Sequence, residues 1–144
     1  MNRKDFTEEI DSKKIEYGKD LIIDFDKLKK VAAGDPVVPV AVQDVDSKEV
    51  LIIAYANEEA LRYTLEHAEA AFWSTSRNQL WVKGKTSGDV LKVEEVLVNC
   101  EQNSLVYKVK MLGKGSCHVK NDDGSTKFGC YYRAVRNGAL EFVD

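Results

Sequence analysis

The chain has 144 residues and few cysteines, prolines or histidines, and each shortage is informative. There are three cysteines, Cys100, Cys117 and Cys130, so the thiols cannot all pair within one chain. The opening residues, Met1-Asn2-Arg3-Lys4-Asp5, lead into a charged segment rather than an apolar one, which is no secretory signal. An odd cysteine count without such a signal points to a reducing, cytoplasmic setting and to free or metal-bound thiols. No apolar run approaches the roughly 20 residues that span a bilayer, which excludes a membrane helix. Charge of one sign is lacking too: 21 Lys and Arg stand against 24 Asp and Glu, for a net charge of −3. Nothing in that balance attracts nucleic acid or an anionic membrane as a whole. There are no repeats and no low-complexity segments.

What is present fits one soluble domain: 44% hydrophobic and 31% charged residues, on a chain long enough to bury a core. Residues 1–20 are dense in Lys, Asp and Glu and read as an N-terminal arm, docked loosely or as a short helix; residues 21–144 read as the domain. Asp24 or Asp26 can cap a helix carrying Leu28, Val31 and Ala32 on one face, with Gly34 to end it. Val37 to Val45 and Val50 to Ala56 read as a hairpin joined by Asp46-Ser47-Lys48-Glu49. Asn57 begins a helix with Glu58 and Glu59 near its positive end. Leu61, Thr64, Leu65 and Ala68 share its inner face, and His67 lies off that stripe at the surface.

From Ala70 the period returns to two. Ala71 to Ser76 and Leu80 to Lys83 form a second hairpin, followed by a loop from Lys83 to Asp89. Leu91 to Val98 is a strand whose alternation breaks at Glu94-Glu95, a bulge signal. Leu105, Tyr107, Val109 and Met111 alternate on one face of the next strand. Asn121-Asp122-Asp123-Gly124-Ser125 is a mobile polar turn, and Cys130 to Val135 reads as a last core strand. Asn137-Gly138 turns the tail back onto it. The sum is an α+β fold dominated by antiparallel pairing, with one or two helices.

The chemistry concentrates between Asn99 and Cys130. Three thiols suit a catalytic zinc site, which takes three protein ligands and leaves a fourth position for water. Their spacing, with sixteen and then twelve residues between them, matches no standard zinc signature. On spacing alone, buried small hydrophobes are therefore the reading to prefer. His118 follows Cys117 and is a fourth ligand, a proton shuttle or a surface histidine. Asn99, Glu101 and Asn103 alternate around Cys100, which in an extended segment sets oxygen on one side and sulfur on the other. With one carboxylate among them, magnesium binds weakly there unless substrate phosphate helps. The loop Lys83-Gly84-Lys85-Thr86-Ser87-Gly88 offers ammonium groups, hydroxyls and backbone N–H groups, as a phosphate cradle or a solvated turn. Its glycine spacing is not that of a P-loop. Ser74, Ser76 and Arg77 lie one strand earlier.

In order and approximate spacing these motifs resemble the phosphoribosyl-AMP cyclohydrolase family of histidine biosynthesis. The carrying residues are Ala54-Tyr55-Ala56-Asn57-Glu58-Glu59-Ala60-Leu61, Phe72-Trp73-Ser74-Thr75-Ser76-Arg77, Leu80-Trp81-Val82-Lys83-Gly84-Lys85-Thr86-Ser87-Gly88, Asn99-Cys100-Glu101-Gln102-Asn103, Cys117-His118 and Cys130-Tyr131-Tyr132-Arg133. The resemblance implies an intertwined homodimer that opens the purine ring of phosphoribosyl-AMP with water. It implies zinc on Cys100, Cys117 and Cys130 drawn from both subunits, with His118 moving the proton. It places substrate phosphate on Ser74, Ser76, Arg77, Trp81, Lys83, Lys85, Thr86 and Ser87. It also implies magnesium on three aspartates, but this chain has Asn99, Glu101 and Asn103 there. Thr75 and Lys85 depart from the family pattern, and the segment between Cys117 and Cys130 is longer than usual. The same residues leave room for a paralogue acting on another phosphorylated heterocycle without magnesium, and for a non-catalytic, zinc-stapled nucleotide-binding dimer.

Overall fold

The computed structural model describes residues 12–25 and 27–144. The first eleven residues of the arm, and Asp26 as a helix cap, lie outside the described residues. The arm's remainder forms helix α1, Ser12–Tyr17, and a second helical turn follows at α2, Lys29–Ala32. Leu28 stands at the N-cap of α2 with no side-chain hydrogen bond of its own, and Gly34 follows the helix at φ 103° as expected. Next come β1 (Val38–Asp44), β2 (Val50–Ala56), α3 (Glu58–His67), β3 (Ala71–Ser74) and β4 (Gln79–Val82). The chain ends with β5 (Leu91–Val98), β6 (Leu105–Met111), β7 (Arg133–Arg136) and β8 (Ala139–Phe142). Among the described residues there are three helices, one more than anticipated. None of them is long and apolar enough to cross a membrane.

The main sheet has the order β2-β1-β6-β5 and is mixed. The β1–β2 and β5–β6 pairs are antiparallel, but β1 and β6 run parallel, from Val40 opposite Leu105 to Asp44 opposite Val109. Parallel neighbours need a crossover, and here it carries α3 and the β3–β4 hairpin across one face. The slip between Val93 and Glu95 is the anticipated bulge. Val40, Val42, Leu51, Phe72, Leu91, Tyr107 and Val109 are fully buried together beneath that crossover.

Asn57 caps α3 by accepting from the Ala60 N–H at 2.9 Å. The helix buries Ala60 and Thr64, small enough for a close approach, and the Ala71 N–H donates to Thr64 Oγ1 at 3.0 Å. Leu65 is 63% exposed and not on the inner face. It lies about 100° round the helix from Thr64, past the edge of the hairpin that α3 packs against. The segment from Cys130 is also not a core strand. Cys130 makes a tie to β2 through its N–H, given to Leu51 O at 2.8 Å, and regular pairing starts at Arg133. β7 pairs with β8 in a separate two-stranded sheet, which leaves Val135 60% exposed.

The other face of the main sheet has no crossover. Ile53, Ala41, Val106 and Leu97 stand in register across all four strands, alternating with the buried residues and so pointing the opposite way. Ile53 is 54% exposed and Leu97 is also exposed.

Candidate metal and substrate site

After β6 the chain makes a long excursion and returns on itself. The Ser116 and Cys117 N–H groups donate to Phe128 O at 3.0 Å and Lys127 O at 3.2 Å, and the Lys127 N–H returns to Val119 O at 2.9 Å. The far end is closed by the Asn121 N–H on Ser125 O at 2.7 Å, with Asn121 and Asp123 side chains bonded to Ser125. The polar turn expected to be mobile is thus fastened at several points. Gly115 permits the narrow approach, since a Cβ there would meet Lys127 O at 2.4 Å.

This fold-back sets Cys117 beside Cys130. Their thiols share a hydrogen bond, which holds Cys117 down at about 6 and pushes Cys130 well above the ordinary thiol range. The Val119 N–H adds a second donor to Cys117 Sγ at 3.5 Å. A thiolate at neutral pH next to a second thiol is the donor chemistry that soft cations favour. Burial lowers the Lys83 pKa, opposed by the nearby Asp89 carboxylate and by negative charge on the cysteine pair.

The third cysteine lies elsewhere. Cys100 follows β5, at one edge of the sheet, whereas Cys130 is tied to β2 at the other edge. Three strand spacings separate those edges, about 14 Å. Among the described residues no three His, Cys, Asp or Glu side chains of one chain are gathered to hold a metal. The Cys117–Cys130 pair thus supplies two of the three thiols expected for zinc, and the fold does not bring Cys100 of the same chain to them. His118 is exposed, and its Nε2 meets Glu16 Oε2 at 3.0 Å.

The residues expected for magnesium do not fit it. Asn99 Nδ2 donates to Asn103 Oδ1 at 2.7 Å, and Asn103 Nδ2 donates to Glu101 Oε2 at 3.3 Å. Asn99 Oδ1 accepts from the N–H groups of Asn103 and Ser104, both at 2.9 Å. Three of the four side-chain oxygens that a hard cation would take, Asn99 Oδ1, Asn103 Oδ1 and Glu101 Oε2, already accept from N–H donors, and a single carboxylate is present. No step is assigned to magnesium.

The phosphate candidates fall into two groups. Ser74 Oγ lies 3.4 Å from Ser76 Oγ and accepts from Arg77 N and Nε, so these three meet at the β3–β4 turn. Lys85, Thr86 and Ser87 are exposed on the following loop. Gly84 shapes that loop: φ is 79°, and a Cβ would meet the Asp89 carbonyl carbon at 2.1 Å. Lys83 is 7% exposed, with Nζ donating to Asp89 O at 3.4 Å, which places it beneath the loop and not on it. Trp81 is half-buried against Phe72, ring centroids 5.4 Å apart.

Two contacts had no signal in the sequence. Glu16, from the arm, reaches His118 across more than a hundred residues of chain. Lys127 is buried among Tyr132 and Phe142 and bonded to Asn121 and Asp144, which locks the excursion to the tail. Neither a charged arm nor a lone lysine carries a periodicity that would reveal such a partner.

The model of the family described as phosphoribosyl-AMP cyclohydrolase matches residues 52–132. A phosphoribosyl-AMP cyclohydrolase of Chlorobium chlorochromatii is 45% identical over 109 residues, covering 75% of this chain and 74% of the relative. One of Archaeoglobus fulgidus is 45% identical over 99 residues, 69% of this chain and 85% of the relative. One of Methanothermobacter thermautotrophicus is 42% identical over 108 residues, 75% and 73%. With a matched core and identities at this level, the chain belongs to the phosphoribosyl-AMP cyclohydrolase family.

Proposed function

We propose that this chain opens the six-membered purine ring of phosphoribosyl-AMP with water, a step of histidine biosynthesis, at a zinc site shared between two copies of the chain. The observation that carries the reading is the Cys117–Cys130 pair, a thiolate next to a thiol with its third partner across the sheet. Cys117 and Cys130 of one protomer, with Cys100 of the other, form a three-thiol set. Zinc held there would act as a Lewis acid that makes water nucleophilic near neutral pH. His118 takes the proton of the attacking water and returns it to the ring nitrogen. Attack falls on the carbon bearing the exocyclic nitrogen, and its bond to the adjacent ring nitrogen breaks. Ser74, Ser76 and Arg77 at the β3–β4 turn hold phosphate, with Lys85, Thr86 and Ser87 from the next loop. Lys83 and Trp81 brace that surface from below. Thiolate ligands of this kind persist in a reducing cytoplasm.

A homodimer is supported by surface that one chain leaves uncovered. The apolar row of Ile53, Ala41, Val106 and Leu97 adjoins a groove of about 630 Å³ lined by Val50, Ile53, Phe128 and Tyr131. Ile53 belongs to both, and Tyr131 neighbours Cys130, so a second copy covering this face also reaches the thiols.

Replacement of Cys117 by Ala tests the core of the reading. Zinc content and ring-opening turnover, followed by ultraviolet absorbance of the purine, are expected to fall together to background. Full turnover by a zinc-free variant refutes it.

A further inference from the structure

The mechanism asks His118 to move a proton, yet its side chain is 79% exposed and an exposed imidazole rotates and changes tautomer freely. Something must fix which nitrogen is the base. Glu16 Oε2 lies 3.0 Å from His118 Nε2. A carboxylate only accepts, so Nε2 carries the hydrogen and Nδ1 keeps its lone pair. We propose that Glu16, from the N-terminal arm, is a positioning residue that holds His118 in the Nε2–H tautomer with Nδ1 as the working base. The proposal rests on the reading of His118 as proton shuttle.

An isolated surface pair of this sort holds little, because two free side chains must be ordered to form it. Here the ordering is done by the backbone. Tyr132 Oη donates to Glu16 O, the Lys120 N–H donates to Tyr17 Oη at 3.3 Å, Arg133 donates to Gly18 O at 2.9 Å, and the Leu140 N–H donates to Lys19 O at 2.8 Å. Residues 16–19 are thereby fastened to the same excursion and tail that carry His118. Gly18 makes the exit from α1 possible, since a Cβ there would meet Lys14 O at 2.5 Å. The Glu16 side chain is 31% exposed, half sheltered by the surface it lies on. Residues 12–19 fall outside residues 52–132, the segment matched by the family model.

The full-length protein is compared with its Glu16→Ala, Glu16→Gln and His118→Asn variants. Glu16→Ala is expected to lower kcat about 10- to 100-fold, the usual effect of removing a partner that orients a histidine, with KM and zinc content unchanged. Glu16→Gln keeps an acceptor oxygen and is expected to recover most of that loss. Independently of activity, long-range proton–nitrogen NMR of the metal-free protein at pH 8 reads the imidazole tautomer. Wild type and Glu16→Gln are expected to show the Nε2–H form, and Glu16→Ala a tautomer average. Unchanged kcat, an unchanged tautomer, or zinc loss in Glu16→Ala each overturns the proposal. If His118→Asn keeps full turnover, the shuttle reading itself falls, while the tautomer measurement still reports the Glu16 contact.

Discussion

Cys117 and Cys130 behave as a pair that releases one proton easily and the second with difficulty. The hydrogen bond between the thiols stabilises the Cys117 thiolate, so its folded pKa of about 6 lies below the value of 9.0 for a free thiol. The sign of the stability effect follows from proton counts. Between about pH 6 and 9 the folded pair has lost a proton that the unfolded chain keeps, so stability rises with pH, at most by about 1.4 kcal/mol per unit. Above 9 the unfolded chain loses both protons and the folded pair still holds the Cys130 proton, so stability falls. Metal-free protein in a Cys100→Ala background is expected to show thiolate absorbance near 240 nm with a first midpoint near 6. Its melting temperature should peak near pH 9. Cys130→Ala removes the donor, and a midpoint that stays near 6 in that variant contradicts this account. Nothing about spacings of sixteen and twelve foretells the pairing; it comes from the fold-back of residues 116–128, whose backbone bonds were invisible in the sequence.

At the scale of elements, local signals survived and long-range ones did not. The β1–β2 hairpin is set by the turn after Asp44, whose carboxylate accepts from the Ser47 N–H at 2.8 Å, and α3 starts where Asn57 can cap it. The bulge in β5 and the alternation in β6 were likewise written in neighbouring residues. The parallel β1–β6 pairing depends on a crossover rather than on either strand's own pattern, so period-two reasoning could not see it. The β5–β6 loop shows the same divide at a candidate site: the residue types were readable, their mutual amide bonds were not. Those bonds yield a prediction. Because Asn99, Glu101 and Asn103 satisfy one another, millimolar magnesium is expected to leave the wild-type melting temperature unchanged. The Asn99→Asp/Asn103→Asp double variant sets three carboxylates together and should be destabilised without magnesium and restored by it. A wild-type protein whose melting temperature climbs with magnesium would show that the amide clasp opens for the ion.

The proposed shared site needs a thiol at one sheet edge to meet a pair at the other. One chain cannot close that gap without breaking the β2-β1-β6-β5 order, because the strands between are the buried core. The proposed two-fold arrangement would do so, by laying the open row of Ile53, Ala41, Val106 and Leu97 against a second copy with each Cys100 facing the other's pair. This makes complementation possible. Cys100→Ala and Cys117→Ala homodimers each lack every complete site. When they are unfolded together and refolded as an equal mixture, half the dimers are mixed, and each mixed dimer rebuilds one site of its two. Zinc content and turnover should return to about a quarter of wild type, as symmetry requires. If all three thiols had to come from the same chain, the mixture would stay inactive at every ratio. Ile53→Asp, which puts a carboxylate in the middle of the proposed contact, should give a monomer by sedimentation and should remove zinc and turnover with all three cysteines still in place. A monomer that kept zinc would put the remaining ligands within one chain and would refute the shared site.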